Sequence, residues 1–139
     1  MTPSAYDRYL EAEILNAEPL KLVGILYRAA IESVVSARNA LRAGDIQARS
    51  RSITKASEIV NELMRSLDHT AGGDISRNLV ELYAYVQTRL LEANAKQVEP
   101  PLAEVEQLLV TLADAWRAAA PMPAEPTLDT AYVPVSCVL

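Results

Sequence analysis

The sequence predicts an all-α protein, an antiparallel up-down four-helix bundle, and three observations carry this prediction. Apolar residues recur every three or four positions over four stretches of similar length, as they do on one face of an α-helix. Glycine or proline turns separate the four stretches. The 139-residue chain is 50% hydrophobic but has only four glycines and no phenylalanine, a composition that favours helices over a β-sandwich or barrel.

Five helices are expected, a short one at 4–16 and four long ones at about 20–43, 46–69, 75–96 and 101–119. Together they form one domain over residues 1–120. The periodic apolar positions of the long helices are Leu20, Val23, Tyr27, Ala30, Val34, Ala37 and Leu41; Ile46, Ile53, Ala56, Val60, Leu63 and Leu67; Ile75, Leu79, Leu82, Val86, Leu90 and Ala93; and Leu102, Val105, Leu109, Leu112, Trp116 and Ala119. Helices of this length joined by short loops pack antiparallel.

The residues at the helix ends support these boundaries. Pro19 occupies a first-turn position, where the missing N–H of proline costs no hydrogen bond. Gly44 followed by Asp45 predicts a glycine stop and then an aspartate N-cap. Ser4 and Asp7 fit a capping box at the start of the short helix.

Residues 121–139 differ from the rest of the chain. They contain four prolines, which exclude a continuing helix, and residues 130–139 carry no charged side chain. We expect a flexible tail with an apolar patch at 132–135. One hypothesis is that this patch folds back into a partner-binding groove, and the alternative is plain disorder.

Composition excludes several classes of function. A net charge of −5 argues against nucleic-acid binding, which requires clustered cations. No apolar run is long enough to span a bilayer, and the N-terminus lacks the pattern of a secretory signal. With one cysteine, Cys137, and one histidine, His69, no zinc cage or haem site can be assembled, and no catalytic motif stands out. We therefore expect no cofactor, no metal and no enzyme.

Two surface features leave alternatives open. A basic run, comprising Arg38, Arg42, Arg49, Arg51 and Lys55, is either a site for an anionic partner or the solvated tip of a helical hairpin. The helices also carry more apolar residues than one core-facing stripe needs, among them Leu22, Leu26, Ile31, Ile59, Met64, Val80, Tyr83, Tyr85, Leu91 and Leu108. A widened apolar face means either deeper burial or a groove for another helix, so the residues alone suggest a bundle that binds an amphipathic segment.

Several blocks of the sequence, in order and spacing, resemble the FliS family of flagellar export chaperones. The resemblance covers about residues 5–118 and rests on AY at 5–6, AEP at 17–19, LYRAAI at 26–31, ITKASEIV at 53–60, GGDI at 72–75, LYAY at 82–85, RLLEAN at 89–94 and LADAW at 112–116. Each block alone is weak evidence. Together, on an independently predicted bundle, they identify the chain as a member of this family.

The resemblance implies a specific function. Members of the family bind the disordered C-terminal region of flagellin in the bacterial cytosol, prevent its premature polymerisation and deliver it to a membrane protein of the flagellar type III export gate. No nucleotide or metal is involved, and the chaperone does not insert into the membrane. The rival interpretation is a general helical adaptor or regulatory bundle that binds another amphipathic segment. The sequence also leaves open whether the free protein forms a homodimer.

The resemblance and the widened faces also suggest site residues. The flagellin groove is predicted to include Leu26, Tyr27, Asn78, Leu82, Tyr83 and Val86. Tyr6, with Tyr9 in the same segment, is predicted to cover the groove and to contact the export gate.

Overall fold

The computed structural model describes residues 4–16, 19–70 and 73–119. These residues form five helices, which are α1 (Ala5–Asn16), α2 (Pro19–Ala43), α3 (Ile46–Thr70), α4 (Gly73–Lys96) and α5 (Pro100–Ala119). Each begins and ends within two residues of the position expected from the sequence. The expected tail at 121–139, including the apolar patch at 132–135, lies outside the described residues.

The four long helices form a ring of neighbours. Helix α2 packs against α3 and α5, and α4 packs against the same two helices from the opposite side. Helices α2 and α4 therefore face each other diagonally across the core. The predicted all-α bundle is confirmed, with α1 as an additional short helix.

Local chemistry fixes the helix ends as the sequence suggests. Gly44 adopts a φ of 73°, in the left-handed region that ends helices, and its amide donates to the Leu41 carbonyl at 3.1 Å. The Asp45 carboxylate then accepts a hydrogen bond from the Ala48 amide at 3.1 Å and caps α3. At the start of α1, the Ser4 hydroxyl accepts from the Asp7 amide at 3.0 Å.

Most of the predicted apolar stripe is buried, and Ala30, Val34, Val60, Val86, Leu102 and Leu109 are among the fully enclosed residues. The prediction was wrong for Ile46 and Ile75, which are 57% and 66% exposed, and for Ala119, which is also exposed. All three lie in the first or last turn of a helix. A residue in a terminal turn can continue the apolar period of the sequence without being covered by a neighbouring helix.

Ion pairs lock the end of the bundle where α2 meets the start of α5. The Arg38 guanidinium bonds Glu99 at 2.9 Å and Glu106 at 2.7 Å, and Arg42 bonds Glu99 at 2.7 Å. Hydrogen bonds to Glu106 and Glu99 raise the pKa of Arg38, and Arg38 and Arg42 together lower the pKa of Glu99. These partners neutralise two of the five basic residues of the run within the molecule.

The next arginine of the run is buried. Arg49 is only 5% exposed and donates to Asn94 Oδ1 at 3.2 Å and Gln97 Oε1 at 3.3 Å. Gln97 follows α4 with a φ of 58°, so Arg49 also fixes the residue at which the chain leaves that helix. The basic run is thus mainly internal bonding, which favours the hairpin-tip alternative over a site for an anionic partner.

Two glycine substitutions are expected to change stability in opposite directions. Gly24 lies inside α2, and a Cβ at this position would be 3.8 Å from Trp116 Nε1, an ordinary contact distance. Gly24→Ala should therefore raise the free energy of unfolding by about 0.5–1 kcal/mol, because alanine favours the helix. Gly44→Ala should lower it by about 1 kcal/mol, because the left-handed backbone strains an L-residue. Urea denaturation measures both, and a destabilised Gly24→Ala would contradict the packing of Trp116 against α2.

Candidate functional site

Helix α1 lies across α2 and α3 and encloses a groove, here called the α1–α3 groove. Its volume is about 1440 Å³, and its two walls are formed by Ser4 with residues of α1 as far as Ile14, and by residues of α3 from Ser50 to Arg65. The apolar part of its lining is Leu10, Ile14, Leu26 and Ile59. Small-molecule pockets usually measure about 300–1,000 Å³. The α1–α3 groove is therefore large enough for a peptide segment.

Polar contacts hold α1 in place. The Tyr6 hydroxyl donates to Glu32, the Lys55 ammonium donates to Asp7, and Arg28 bonds Glu13 at 3.0 Å. Along α1, Tyr6 precedes Glu13, whereas the partner of Tyr6 on α2, Glu32, follows the partner of Glu13, Arg28. Helix α1 is therefore antiparallel to α2 and parallel to α3. Ion pairs this exposed contribute about 0–1 kcal/mol each.

These contacts also change the acidity of the two α1 side chains. Burial, together with the hydrogen bond to Glu32, raises the pKa of Tyr6 to about 12. The hydrogen bond from Lys55 lowers the pKa of Asp7. The Lys55 ammonium lies 5.0 Å from the centre of the Tyr6 ring, close enough for a cation–π contact. Lys55 therefore contacts two neighbouring side chains, Tyr6 and Asp7, at the N-terminal end of α1.

The apolar attachment of α1 is small. Leu10 is 6% exposed and Ile14 is partly buried against the core, whereas Tyr6 and Tyr9 are 44% and 66% exposed. Two side chains and a few surface pairs must offset the entropy of ordering the 12-residue helix. Among the described helices, α1 has the smallest apolar attachment to the bundle core.

The predicted groove residues divide into three groups. Leu26, on α2, is part of the lining of the α1–α3 groove and is 1% exposed. Tyr27, Tyr83 and Val86 are buried in the bundle core and are not part of the groove lining. On α4, Leu82 is half-buried and Asn78 is exposed, away from the groove lining. The structure thus brings only Leu26 together with the α1 segment.

The two tyrosines of the core contact each other. The hydroxyl groups of Tyr27 and Tyr83 form a hydrogen bond of 2.6 Å between α2 and α4, the diagonal pair of the bundle. Burial is the main reason that the pKa of both side chains is raised. This hydrogen bond fixes the axial position of α2 relative to α4, two helices that otherwise share few contacts.

The predicted covering segment lies at the groove, although its two tyrosines are oriented differently. Tyr6 is part of the groove lining, and Tyr9 lies outside the lining with most of its surface exposed. Sequence reasoning missed Leu10 and Ile14, which attach α1 to the bundle. Their spacing of four residues marks a single apolar face and could have revealed them.

Two absences apply to the described residues alone. No helix among residues 4–16, 19–70 and 73–119 has the length and apolar character to cross a membrane. In the same part of the chain, no three His, Cys, Asp or Glu side chains are grouped so that they could hold a metal ion.

A helical bundle with a groove of this size is typical of proteins that bind a peptide segment. Comparison with known proteins gives the family. The model of the flagellar protein FliS matches residues 2–123. The chain therefore belongs to the FliS family, which is a family of chaperones and not of enzymes.

Relatives from several bacteria agree with this assignment. The chain is 38% identical to the flagellar secretion chaperone FliS of Salmonella typhimurium over 113 residues, covering 81% of this chain and 84% of the relative. It is 34% identical to the flagellar secretion chaperone FliSB of Pseudomonas aeruginosa, over 77% of this chain and 85% of that protein. The FliS chaperone of Bacillus subtilis is 29% identical over 82% of this chain and 84% of its own length.

Proposed function

We propose that this protein is a flagellin export chaperone of the bacterial cytosol. It binds the disordered C-terminal region of flagellin, prevents premature polymerisation and delivers its client to the membrane protein of the flagellar export gate. The relatives named flagellar secretion chaperones support the export role. The observation that carries the client role is the α1–α3 groove, a peptide-sized space with an apolar lining and a weakly attached helix over it.

The client segment takes the place of α1. An amphipathic helix of flagellin covers Leu26 and Ile59 with its apolar face, and the burial of apolar surface offsets the entropy lost when the disordered segment folds. Tyr27, Tyr83 and Val86 support the groove from the core. Leu82 and Asn78, on α4 and outside the groove lining, provide a second contact for a segment that wraps around the bundle.

The displaced α1 segment acts in the delivery of the client to the export gate. Tyr6 and Tyr9 lie on it, and both are aromatic side chains with large exposed fractions. Exposed tyrosines are common at protein–protein interfaces. We assign them to contact with the export gate after the client has bound.

Calorimetric titration with roughly 50 C-terminal residues of the flagellin from the same organism tests the client role. We expect a 1:1 complex with a large negative heat-capacity change, the signature of folding coupled to apolar burial. A peptide with the same composition in scrambled order is the control. If flagellin does not bind while circular dichroism shows an intact bundle, the protein is a general helical adaptor with another partner.

Release of α1 should increase the affinity for the client. Leu10→Asp places a carboxylate where α1 meets the core, so the groove stands open in a larger fraction of molecules. Affinity scales with the open fraction, and we expect flagellin to bind several-fold more tightly. Tyr9→Asp is the matched control on the exposed side of the same helix and should leave this affinity unchanged. Equal affinity in Leu10→Asp and the wild type would show that α1 does not compete with the client.

A further inference from the structure

The charged residues of the α1–α3 groove are only partly paired. Lys55 bonds Asp7 across the groove, and Arg65 bonds Glu62 along α3 at 2.6 Å. Three further charges line the same groove, and within the described residues none of them has an ion-pair partner; they are Arg51, Glu58 and Glu11. Unpaired charges beside an apolar surface are available to a partner.

The unpaired charges of α3 are separated along the groove by sign. Arg51 and Glu58 are seven residues apart on one helix, which places them two turns and about 10 Å apart on the same face. Arg51 lies one turn before Lys55, and Glu58 lies one turn before Glu62. Arg51 and Lys55 therefore make one end of the α3 wall basic, and Glu58 leaves an unpaired negative charge further along it, before the Glu62–Arg65 ion pair.

The charges of helix α1 complement only the basic part of the α3 wall. Its Asp7 bonds Lys55 at the basic end, where a carboxylate is complementary. One turn later it presents Glu11, a second carboxylate, and no lysine or arginine of α1 lines the groove. The resident helix therefore offers no cation to Glu58.

We propose that the α1–α3 groove selects an amphipathic helix with a cationic side chain against Glu58 and a carboxylate against Arg51, about two turns apart. This inference rests on the proposed function, because it places that helix within the C-terminal region of flagellin. The client replaces α1 for two reasons. It covers the same apolar lining, and it offers Glu58 a cation, which α1 does not. When α1 leaves, Lys55 also loses Asp7 and strengthens the basic end.

Charge reversal in the groove tests the inference. Dissociation constants for the flagellin C-terminal region are measured with the wild type, Glu58→Lys, Arg51→Glu and Glu81→Lys. Glu81 is an exposed residue of α4 outside the groove lining, so Glu81→Lys makes the same charge change elsewhere. We expect each groove variant to bind about tenfold more weakly, a typical effect of placing like charges in contact, and Glu81→Lys to match the wild type. Raising the salt concentration should weaken wild-type binding more than binding by Glu58→Lys.

The outcomes separate this inference from the proposed function. If flagellin binds the wild type, and Glu58→Lys and Glu81→Lys bind equally well, the charge selection is wrong and the chaperone function stands. If flagellin does not bind the wild type, both the charge selection and the proposed chaperone function are wrong.

A flagellin segment with its Lys and Arg residues changed to Glu provides the reciprocal test, since it should bind Glu58→Lys better than the wild type. Thermal denaturation of each variant confirms that the bundle is folded, and Glu58→Gln, which adds no cation, should show a smaller loss in the same direction.

Discussion

Replacing Tyr83 with alanine is expected to lower the free energy of unfolding by about 3–5 kcal/mol, the range for removing a large aromatic side chain from a core. Tyr83 is 1% exposed and is one of the largest fully buried side chains of the described residues. The substitution also leaves the Tyr27 hydroxyl in the core without its partner. Native proteins are stable by only about 5–15 kcal/mol, so this loss removes a large fraction of the total stability. Chemical denaturation monitored by circular dichroism measures the effect.

A double-mutant cycle separates the hydroxyl pair from the aromatic rings. Tyr83→Phe leaves one buried hydroxyl unpaired and should cost about 1–3 kcal/mol. The double variant Tyr27→Phe with Tyr83→Phe removes both hydroxyl groups and should be more stable than the sum of the single changes predicts. Additive losses would mean that the 2.6 Å contact does not contribute to stability. Flagellin affinity measured on the folded phenylalanine variants also shows whether these tyrosines act on the client through the core.

The Tyr27–Tyr83 pair also makes the stability of the folded protein depend on pH in the alkaline range. The pKa of both tyrosines is raised in the folded state, chiefly by burial, above the value of about 10 in an unfolded chain. The folded state therefore holds its phenolic protons more tightly. The stabilisation is complete below pH 10 and is lost as the pH rises above this value. The double phenylalanine variant should lose less stability than the wild type between neutral pH and the alkaline range.

Replacing Ile59 with aspartate is expected to weaken flagellin binding by about 100-fold or more, corresponding to roughly 3 kcal/mol. Ile59 lies in the apolar lining of the α1–α3 groove and is 7% exposed. A client helix on this surface would bury the new carboxylate without a partner, and the desolvation of an unpaired charge costs several kcal/mol. Thermal denaturation first confirms that the variant is folded, because Ile59 also belongs to the buried core cluster, and titration with the flagellin C-terminal region then provides the measurement.

Helix α3 offers a matched control for this change. Ile46 lies on the same helix, is 57% exposed and is not part of the groove lining. Ile46→Asp should leave both stability and flagellin affinity close to the wild type. Ile59→Ala, which adds no charge, should produce a smaller loss of affinity than Ile59→Asp. Equal binding by Ile59→Asp and Ile46→Asp would place the client elsewhere on the bundle.

The sequence predicts the fold well, but it predicts the residues of the groove only in part. It indicates a widened apolar face and includes Leu26 and Ile59 in it, and both line the groove. It does not distinguish these residues from Tyr83, which has the same periodicity and lies in the core. An apolar residue beside the main stripe of a helix is buried or exposed according to the neighbour it meets, and periodicity within one helix contains no information about that neighbour.

The sequence by itself determined the number of helices, their ends and most of the core. These properties depend on residues close together in the chain, such as the left-handed Gly44, the cap at Asp45 and the three-to-four spacing of apolar side chains. Tertiary structure alone decided which faces meet: the Tyr27–Tyr83 bond across the bundle, the position of α1 and the unpaired charges beneath it. These contacts join residues far apart in sequence, and their energies depend on packing and desolvation that arise only when the helices come together.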